Sequence, residues 1–146
     1  ALLNKWRNWR TGLEYTDTGL GVTLFGALDD CLEDNGVFLP LDYKTRGSAP
    51  REGDSEKYYS NQLDCYALLL EENKHPVGKF GYLIYYYPKE VKENGTIIFN
   101  VEPVKIKIDP NNARKTLKDA IKLLSGPIPA HHSECEYCIW GRNNGD

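Results

Sequence analysis

Hydrophobic and polar positions alternate along the first third of the chain, which predicts β-strands joined by tight turns. Residues 13–28 alternate loosely and predict one or two strands. Two further strands are predicted at residues 24–32 and 37–43, on either side of Asn35-Gly36. Asn-Gly is the strongest short-range signal for a hairpin, because both central residues must accept positive φ. These segments therefore predict an antiparallel hairpin.

The remainder of the chain predicts two helices and a second pair of strands. Apolar residues recur at helical spacing from residue 56 to about residue 73, after a polar loop in which Ser55 is the predicted N-cap. Strands are predicted at residues 79–87 and 96–108, and Asp109 followed by proline predicts the start of a second helix. This order predicts a mixed α/β fold, with helices flanking a central β-sheet.

The length of 146 residues predicts one domain over residues 1–146, with a cysteine-containing tail at 127–146. With 40% apolar and 27% charged residues, wholesale disorder is excluded. The apolar runs are far shorter than the roughly 20 residues that cross a bilayer, so no membrane partner is expected. Only 4 cysteines argue against a disulfide scaffold and favour a cytoplasmic, intracellular protein.

The charges are unevenly distributed. The formal net charge of −3 does not exclude nucleic-acid binding, because carboxylates at an active site lower the sum while a local basic patch still contacts phosphate. The first ten residues contain no acid, but they contain Lys5, Arg7 and Arg10 together with Trp6 and Trp9. This mixture suits contact with DNA, with a partner, or with further structure.

The predicted hairpin brings two aspartates together. If the turn is closed at residues 35 and 36, pairing places Asp29 directly across from Asp42 on one face of the sheet. Lys44 projects from the same face, because it lies two residues beyond Asp42. Like charges that face each other destabilise a sheet unless they are neutralised, and Mg²⁺ commonly binds one or two carboxylates. The hairpin therefore predicts a cation site.

The backbone carbonyl of Tyr43 is a candidate third ligand, and Lys44 would orient or help deprotonate a water molecule during metal-assisted hydrolysis. The alternative is that Asp29 and Asp42 are ordinary exposed acids at strand ends and that Lys44 is their ion-pair partner. Pro40 complicates the register, because proline in a central strand implies a bulge, an edge or a strand that starts after it.

Gln62 and Tyr66 lie four residues apart on the first predicted helix and share one face. We interpret them as flanking the carboxylates and contacting a phosphate backbone or a bound water molecule. The alternative is a solvated glutamine beside a core aromatic residue.

Four segments carry a family resemblance: Gly-x-x-Asp at residues 26–29, Asp-Tyr-Lys-Thr within residues 41–45, Gln-x-x-x-Tyr at residues 62–66, and Cys135 and Cys138. In this order they resemble the PD-(D/E)XK nuclease superfamily, in particular the RecB-type nuclease domains that include the CRISPR-associated exonucleases with iron–sulfur clusters. In that family the first two segments supply metal carboxylates and a lysine, and the cysteines belong to a C-terminal cluster.

The resemblance covers roughly residues 13–140. It implies a restriction-endonuclease-like core, Mg²⁺ or Mn²⁺ as cofactor, and hydrolysis of DNA phosphodiester bonds by an exonuclease or a repair or recombination nuclease. Single-stranded DNA or duplex ends, and a larger helicase–nuclease or CRISPR-type assembly, are the implied partners. The implied metal ligands are Asp29, Asp42 and the Tyr43 carbonyl, and the implied catalytic residues are Asp29, Asp42, Lys44, Gln62 and Tyr66.

Two departures from the family's pattern leave alternatives open. Many relatives carry a histidine or glutamate on a helix before the first strand, whereas no histidine precedes His75 here. Compared with these relatives, the resemblance implies that this N-terminal helix is absent or reduced to residues 2–10. A third C-terminal cysteine is missing, which argues against an iron–sulfur cluster on Cys135 and Cys138, and Zn²⁺ held by these residues with His132 is a second interpretation. The alternatives are a catalytically inactive DNA-binding or scaffolding module and a small zinc-binding interaction protein.

Overall fold

The computed structural model describes residues 2–144, apart from the side chain of residue 144. These residues form four helices and six strands. In order they are α1 (Leu2–Trp6), β1 (Leu13–Asp17), β2 (Val22–Gly26), β3 (Asp30–Asp34), β4 (Val37–Thr45), α2 (Asp54–Glu72), β5 (Phe80–Val91), β6 (Ile97–Lys107), α3 (Pro110–Leu124) and α4 (Glu136–Asn144).

The strands form two sheets. β1 and β2 make a small antiparallel pair, and the other four strands form one sheet in the order β3-β4-β5-β6. The β4–β5 pair is parallel and is connected through α2, whereas the β3–β4 and β5–β6 pairs are antiparallel. The predicted mixed α/β fold, with helices flanking a central sheet, is confirmed.

The core lies between α2 and one face of the four-stranded sheet. Leu63 and other apolar residues at helical spacing on α2 pack against Leu83 and Tyr85, which are alternate residues of β5. Asp42 and Lys44 pair with these two residues in the parallel ladder and therefore project from the same face. The packing of α2 on the sheet thus sets the surroundings of both charged side chains.

The predicted hairpin is confirmed. Asn35 and Gly36 have φ values of 51° and 79°, as a turn with two left-handed central residues requires. Asp34 pairs with Val37 next to the turn, and pairing then continues without a shift as far as Asp30. The register predicted from the turn is therefore present between residues 30 and 41, whereas the predicted pair of Asp29 with Asp42 lies outside the ladder.

The single strand predicted at residues 24–32 is wrong. β2 ends at Gly26 and β3 begins at Asp30, so that the chain passes from the small sheet to the large one at residues 27–29. Leu28 explains the break, because its side chain is buried in the core and its backbone N–H donates to the Trp6 carbonyl oxygen at 3.0 Å. A continuous strand could not make both contacts.

Pro40 lies inside β4, which is neither an edge strand nor a strand that starts after the proline. It pairs with Cys31 without a register shift, so the opposition of the two strands across the hairpin is intact. The irregularity lies on the side of β4 that faces β5. There the register shifts by two residues between the isolated bridge from Phe38 to Val77 and the ladder that begins with Leu41 and Tyr82. The missing N–H is accommodated on that side.

The two long helices begin differently. The prediction that Ser55 caps α2 is wrong: Gly53 occupies the N-cap position, and Ser55 is buried with its hydroxyl 2.9 Å from that of Tyr85. The predicted cap of α3 is confirmed, since the Asp109 carboxylate accepts a hydrogen bond of 2.9 Å from the Asn111 backbone. Because the Ser55 side chain is buried against the sheet, its hydroxyl does not cap the backbone N–H groups at the start of α2.

β5 runs to Val91, past the predicted end at residue 87, with an irregularity between Pro88 and Glu90. The segment predicted as a tail contains α4 in its described part, and residues 145–146 lie outside the described residues. Among residues 2–144, none of the helices combines the length and the apolar character that a membrane span requires.

Candidate active site

Asp42 is the most deeply buried polar residue at the carboxyl end of β4, with 1% of its surface exposed. Its Oδ1 accepts hydrogen bonds from Gln62 Nε2 at 3.0 Å and from the Tyr66 hydroxyl at 3.4 Å. Its Oδ2 forms an ion pair with Lys44 Nζ, yet among the described residues it has no partner with hydrogen-bond geometry. One oxygen of a buried carboxylate is thus left with unused acceptor capacity.

Gln62 connects the charged residues of the site. Its Oε1 accepts a hydrogen bond of 2.8 Å from Lys44 Nζ, while its Nε2 donates to Asp42 Oδ1 and to the Tyr66 hydroxyl at 2.9 Å. Donor and acceptor requirements fix the orientation of the amide, because only the oxygen can accept from an ammonium group. Gln62 and Tyr66 share one helix face, as their spacing predicts.

Asp29 lies in the segment that enters β3, beside the end of β4. Its Oδ2 accepts a hydrogen bond of 3.2 Å from the backbone N–H of Tyr43. The Asp29 carboxylate is exposed, and it is close enough to Asp42 to affect that residue through its charge and a side-chain contact. The structure therefore brings together Asp29, Asp42 and Lys44, which the hairpin register placed on one face.

Burial controls the ionisation of the site. Desolvation raises the pKa of Asp42, the neighbouring Asp29 raises it further, and Lys44 acts in the opposite direction. The pKa of the Tyr66 hydroxyl is also raised, mainly by burial and then by the charge of Asp42. Tyr66 therefore remains a hydrogen-bond donor to Asp42 across the ordinary pH range.

The backbone of Tyr43 faces the Asp29 side of β4. Arg46 donates from its backbone N–H to the Tyr86 carbonyl of β5 at 2.9 Å, so even-numbered residues at this end of β4 direct their backbone groups towards β5. Tyr43 is odd-numbered, so its backbone N–H and its carbonyl are both directed away from β5, towards Asp29. Its side chain lies on the outer face of the sheet, where its hydroxyl donates to Asp30 at 2.9 Å.

Sequence reasoning missed Tyr59 as part of this site. Lys44 Nζ lies 4.5 Å from the centroid of the Tyr59 ring. Tyr59 is therefore part of the site and also one of the apolar residues that recur at helical spacing on α2. The available signal was its position three residues before Gln62, on the same side of α2. The distance between β4 and α2, which brings the ring to the ammonium group, is a property of the packed structure.

The donor set fits a hard divalent cation. The underused Oδ2 of Asp42 is an anionic oxygen without a hydrogen-bond donor, and Asp29 supplies a second, exposed carboxylate. Mg²⁺ and Mn²⁺ prefer oxygen ligands and complete their coordination with water and substrate oxygens. Within residues 2–144 no group of three or more His, Cys, Asp or Glu side chains is placed to hold a metal, so such a cation would depend on two carboxylates.

The structure does not assemble the zinc site considered for the C-terminal segment. Cys135 and Cys138 are neighbours at the start of α4, and hydrogen bonds from the Cys138 backbone and thiol lower the pKa of Cys135. His132 Nδ1 instead accepts from the Glu134 backbone at 3.2 Å. Since no cluster of three ligands exists among the described residues, the predicted set of His132, Cys135 and Cys138 is not formed.

The comparisons with known proteins agree with this geometry. A family model described as the PD-(D/E)XK nuclease superfamily matches residues 2–142. No curated protein and no solved structure matches the chain.

Proposed function

Because the chain belongs to the PD-(D/E)XK nuclease superfamily, we propose that it is a divalent-metal-dependent DNA nuclease of the RecB type. The proposed reaction is hydrolysis of phosphodiester bonds, by an exonuclease or by a nuclease domain of a repair or recombination system. We propose that residues 1–146 act as one intracellular catalytic domain, which would serve within a larger helicase–nuclease or CRISPR-type assembly.

The observation that supports this proposal most strongly is Asp42 Oδ2, which is ion-paired with Lys44 but accepts no hydrogen bond among the described residues. A buried carboxylate normally has its oxygens satisfied by hydrogen-bond donors, since leaving one unsatisfied costs about 1–3 kcal/mol. Here Oδ2 has the Lys44 ion pair but no hydrogen-bond donor, and it lies beside a second carboxylate. An arrangement that destabilises the empty site is expected where the site binds a cation.

Asp29, Asp42 and the Tyr43 carbonyl are the proposed ligands of Mg²⁺ or Mn²⁺. The alternation of backbone groups along β4 supports the third ligand, because it directs the Tyr43 carbonyl to the side of Asp29. When bound, such a cation polarises a phosphoryl oxygen and lowers the pKa of a water molecule.

Lys44, Gln62 and Tyr66 are the proposed catalytic and supporting side chains. Lys44 presents a positive charge that can orient the attacking water and stabilise charge that develops on the phosphate. Gln62 holds that ammonium group through Oε1 and the Asp42 carboxylate through Nε2. The Tyr66 hydroxyl donates to Asp42 Oδ1, so that Asp42 Oδ2 is directed away from Tyr66.

The N-terminal segment is the proposed contact for DNA near the site. The Trp6 carbonyl accepts from the Leu28 backbone at 3.0 Å, which places the segment next to Asp29. Arg7 lies close enough to Tyr43 for its charge to act on the phenol. Trp9 is 71% exposed with Arg10 stacked on it at 4.9 Å, a combination that suits phosphate contact and base stacking on single strands or duplex ends.

The test is digestion of end-labelled linear DNA, single-stranded and duplex, with Mn²⁺ or Mg²⁺ and with a chelator. We expect cleavage that requires the cation and is abolished in Asp42→Ala and Lys44→Ala. Lys57→Ala, which changes an exposed lysine elsewhere on α2, is the matched control and should retain activity. Circular dichroism on each variant establishes that the fold is retained.

Cation-independent DNA binding without cleavage by the wild type would contradict the nuclease proposal and favour the inactive DNA-binding module. The observation that favours this second candidate is that no third metal-ligating side chain joins the two carboxylates among the described residues.

A further inference from the structure

Lys44 is held by three groups, and one of them has no assigned role. The Asp42 carboxylate and Gln62 Oε1 contact the ammonium group directly. The third group is the Tyr59 ring, whose centroid lies 4.5 Å from Nζ. A lysine ammonium over the face of an aromatic ring is attracted by the ring's quadrupole, most strongly where water is excluded.

The Tyr59 ring is itself supported from behind. It meets Tyr85 in an edge-on arrangement with the ring centroids 6.5 Å apart. Tyr85 is fully buried and its hydroxyl lies 2.9 Å from that of Ser55. A ring packed against a buried, hydrogen-bonded neighbour has few alternative rotamers, so it presents a fixed surface to the ammonium group.

The ion pair between Lys44 and Asp42 competes with the proposed cation. Asp42 Oδ2 is the oxygen that contacts Nζ, and it is also the oxygen with unused acceptor capacity. A cation that takes this oxygen weakens the ion pair, because both positive charges cannot use it fully. Gln62 Oε1 and the Tyr59 ring are then the contacts that keep Lys44 in place.

We propose that Tyr59 is a positioning residue for Lys44. The Tyr59 ring holds the Lys44 ammonium group at the site while a divalent cation is bound to the Asp42 carboxylate. This inference rests on the proposed nuclease function. Tyr59 contacts neither DNA nor the cation in this role; it acts through Lys44. The ring is required and the hydroxyl group is not.

The chain provides a matched control on the adjacent residue. Tyr58 is 61% exposed and has Lys57 Nζ 5.0 Å from its ring centroid, so it forms the same type of pair on the solvent side of α2. Tyr58→Leu therefore removes a tyrosine and a cation–π contact from the same helix without removing a contact of Lys44.

The kinetic experiment compares Tyr59→Phe, Tyr59→Leu and Tyr58→Leu with the wild type in cation-dependent DNA cleavage. We expect Tyr59→Leu to lower kcat about 3- to 30-fold with little change in KM, and Tyr59→Phe and Tyr58→Leu to stay within about twofold. Thermal unfolding checks that each variant is folded at the assay temperature. Equal losses in Tyr59→Phe and Tyr59→Leu, or no loss in Tyr59→Leu, overturn the proposal.

A second measurement does not depend on activity. Protons above an aromatic ring resonate upfield, so the Lys44 ε-methylene protons should be shifted upfield in the wild type and in Tyr59→Phe, but not in Tyr59→Leu. We expect the shift to persist when Mg²⁺ is added without DNA, and its disappearance on Mg²⁺ addition overturns the proposal. A wild type that cleaves no DNA overturns the proposed function, and the NMR shift then decides by itself whether Tyr59 holds Lys44.

Discussion

Two buried aspartates, one at the end of β4 and one on α2, differ in how their oxygens are used. Asp64 is 3% exposed; its Oδ1 accepts from the Asp109 backbone at 2.7 Å and its Oδ2 from Asn112 Nδ2 at 3.2 Å. Asp42 is equally buried, but one of its oxygens has no hydrogen-bond donor among the described residues. Burial raises the pKa of both carboxyls.

The difference separates a structural acid from a candidate catalytic one. Asp64 joins α2 to the start of α3, and its neighbours provide a donor for each oxygen. Asp42 is surrounded by Gln62, Tyr66 and Lys44, which fix the carboxylate but leave it able to accept another partner. Neither burial nor pKa distinguishes the two regions, whereas the pattern of hydrogen bonds does.

The largest expected effect is on cleavage. Asp42→Asn keeps the shape of the side chain but removes the charge that the proposed cation requires, and kcat should fall by about 10²- to 10³-fold. Asp64→Asn should leave kcat per folded molecule within about threefold. Steady-state cleavage of linear DNA measures both, and comparable losses in the two variants would contradict the separation of roles.

Stability should show the reverse order. Asp64→Ala leaves the N–H of the half-buried Asp109 without its acceptor, and we expect the free energy of unfolding to fall by about 1–3 kcal/mol. Asp42→Asn should lower that free energy less in metal-free protein, because the loss of the Lys44 ion pair is offset by the removal of a desolvated charge. Urea denaturation in the presence of a chelator measures both values, and a large loss of stability in Asp42→Asn would show that Asp42 is a structural residue.

The pH dependence of stability should show that the charged form of the Asp42 carboxyl is unfavourable in the folded protein. Its pKa is raised in the folded protein, so above about pH 4 the native state binds more protons than the unfolded state. The contribution of Asp42 to the free energy of unfolding of metal-free protein should therefore be most favourable at the acid side of this window and become less favourable as the pH rises through it. Asp42→Asn should make the decrease shallower; an unchanged slope in urea titrations at several pH values would refute this.

A smaller effect is expected on DNA affinity. Arg7 and Arg10 belong to the N-terminal segment proposed to contact DNA, so Arg7→Gln with Arg10→Gln should weaken binding several-fold and reduce the salt slope by about two. Lys118 and Lys122 lie on α3, outside that segment, and the matching pair of glutamine substitutions should change binding less. Fluorescence anisotropy at several salt concentrations compares them, and equal losses would mean that DNA contacts both regions.

The smallest effect is expected from the C-terminal cysteines. Because the described residues gather no third ligand around Cys135 and Cys138, Cys135→Ser with Cys138→Ser should leave cleavage and the thermal midpoint unchanged. Zinc and iron analysis of the purified protein accompanies the assay. Stoichiometric metal that is lost in this variant would support the zinc-binding interaction protein instead.

The hairpin could be predicted from sequence because its geometry is local. Asn35-Gly36 fixes the turn, and the turn fixes the register as far as Asp30 and Leu41, the residues adjacent to Asp29 and Asp42. The break at residues 27–29 could not be predicted in this way. Leu28 continues the apolar alternation, and only its contact with the distant Trp6 shows that the strand has ended.

Contacts between β4 and α2 depend on packing and were only partly predictable. The spacing of Gln62 and Tyr66 indicated a shared face, but their bonds to Asp42 require the helix to lie at a particular height on the sheet. The same packing buries Ser55, which sequence reasoning placed at a helix terminus, and brings Tyr59 to Lys44. Local pattern cannot specify these distances.

Pro40 has a consequence for the fidelity of strand pairing. A slip of β4 by one residue against β3 would turn Asp42 and Lys44 away from α2. It would also turn the nitrogen of Pro40 towards β3, where the ladder needs a donor that proline lacks. The ring two residues before Asp42 therefore penalises the misaligned sheet more than the aligned one, and so protects the orientation of the acid during folding.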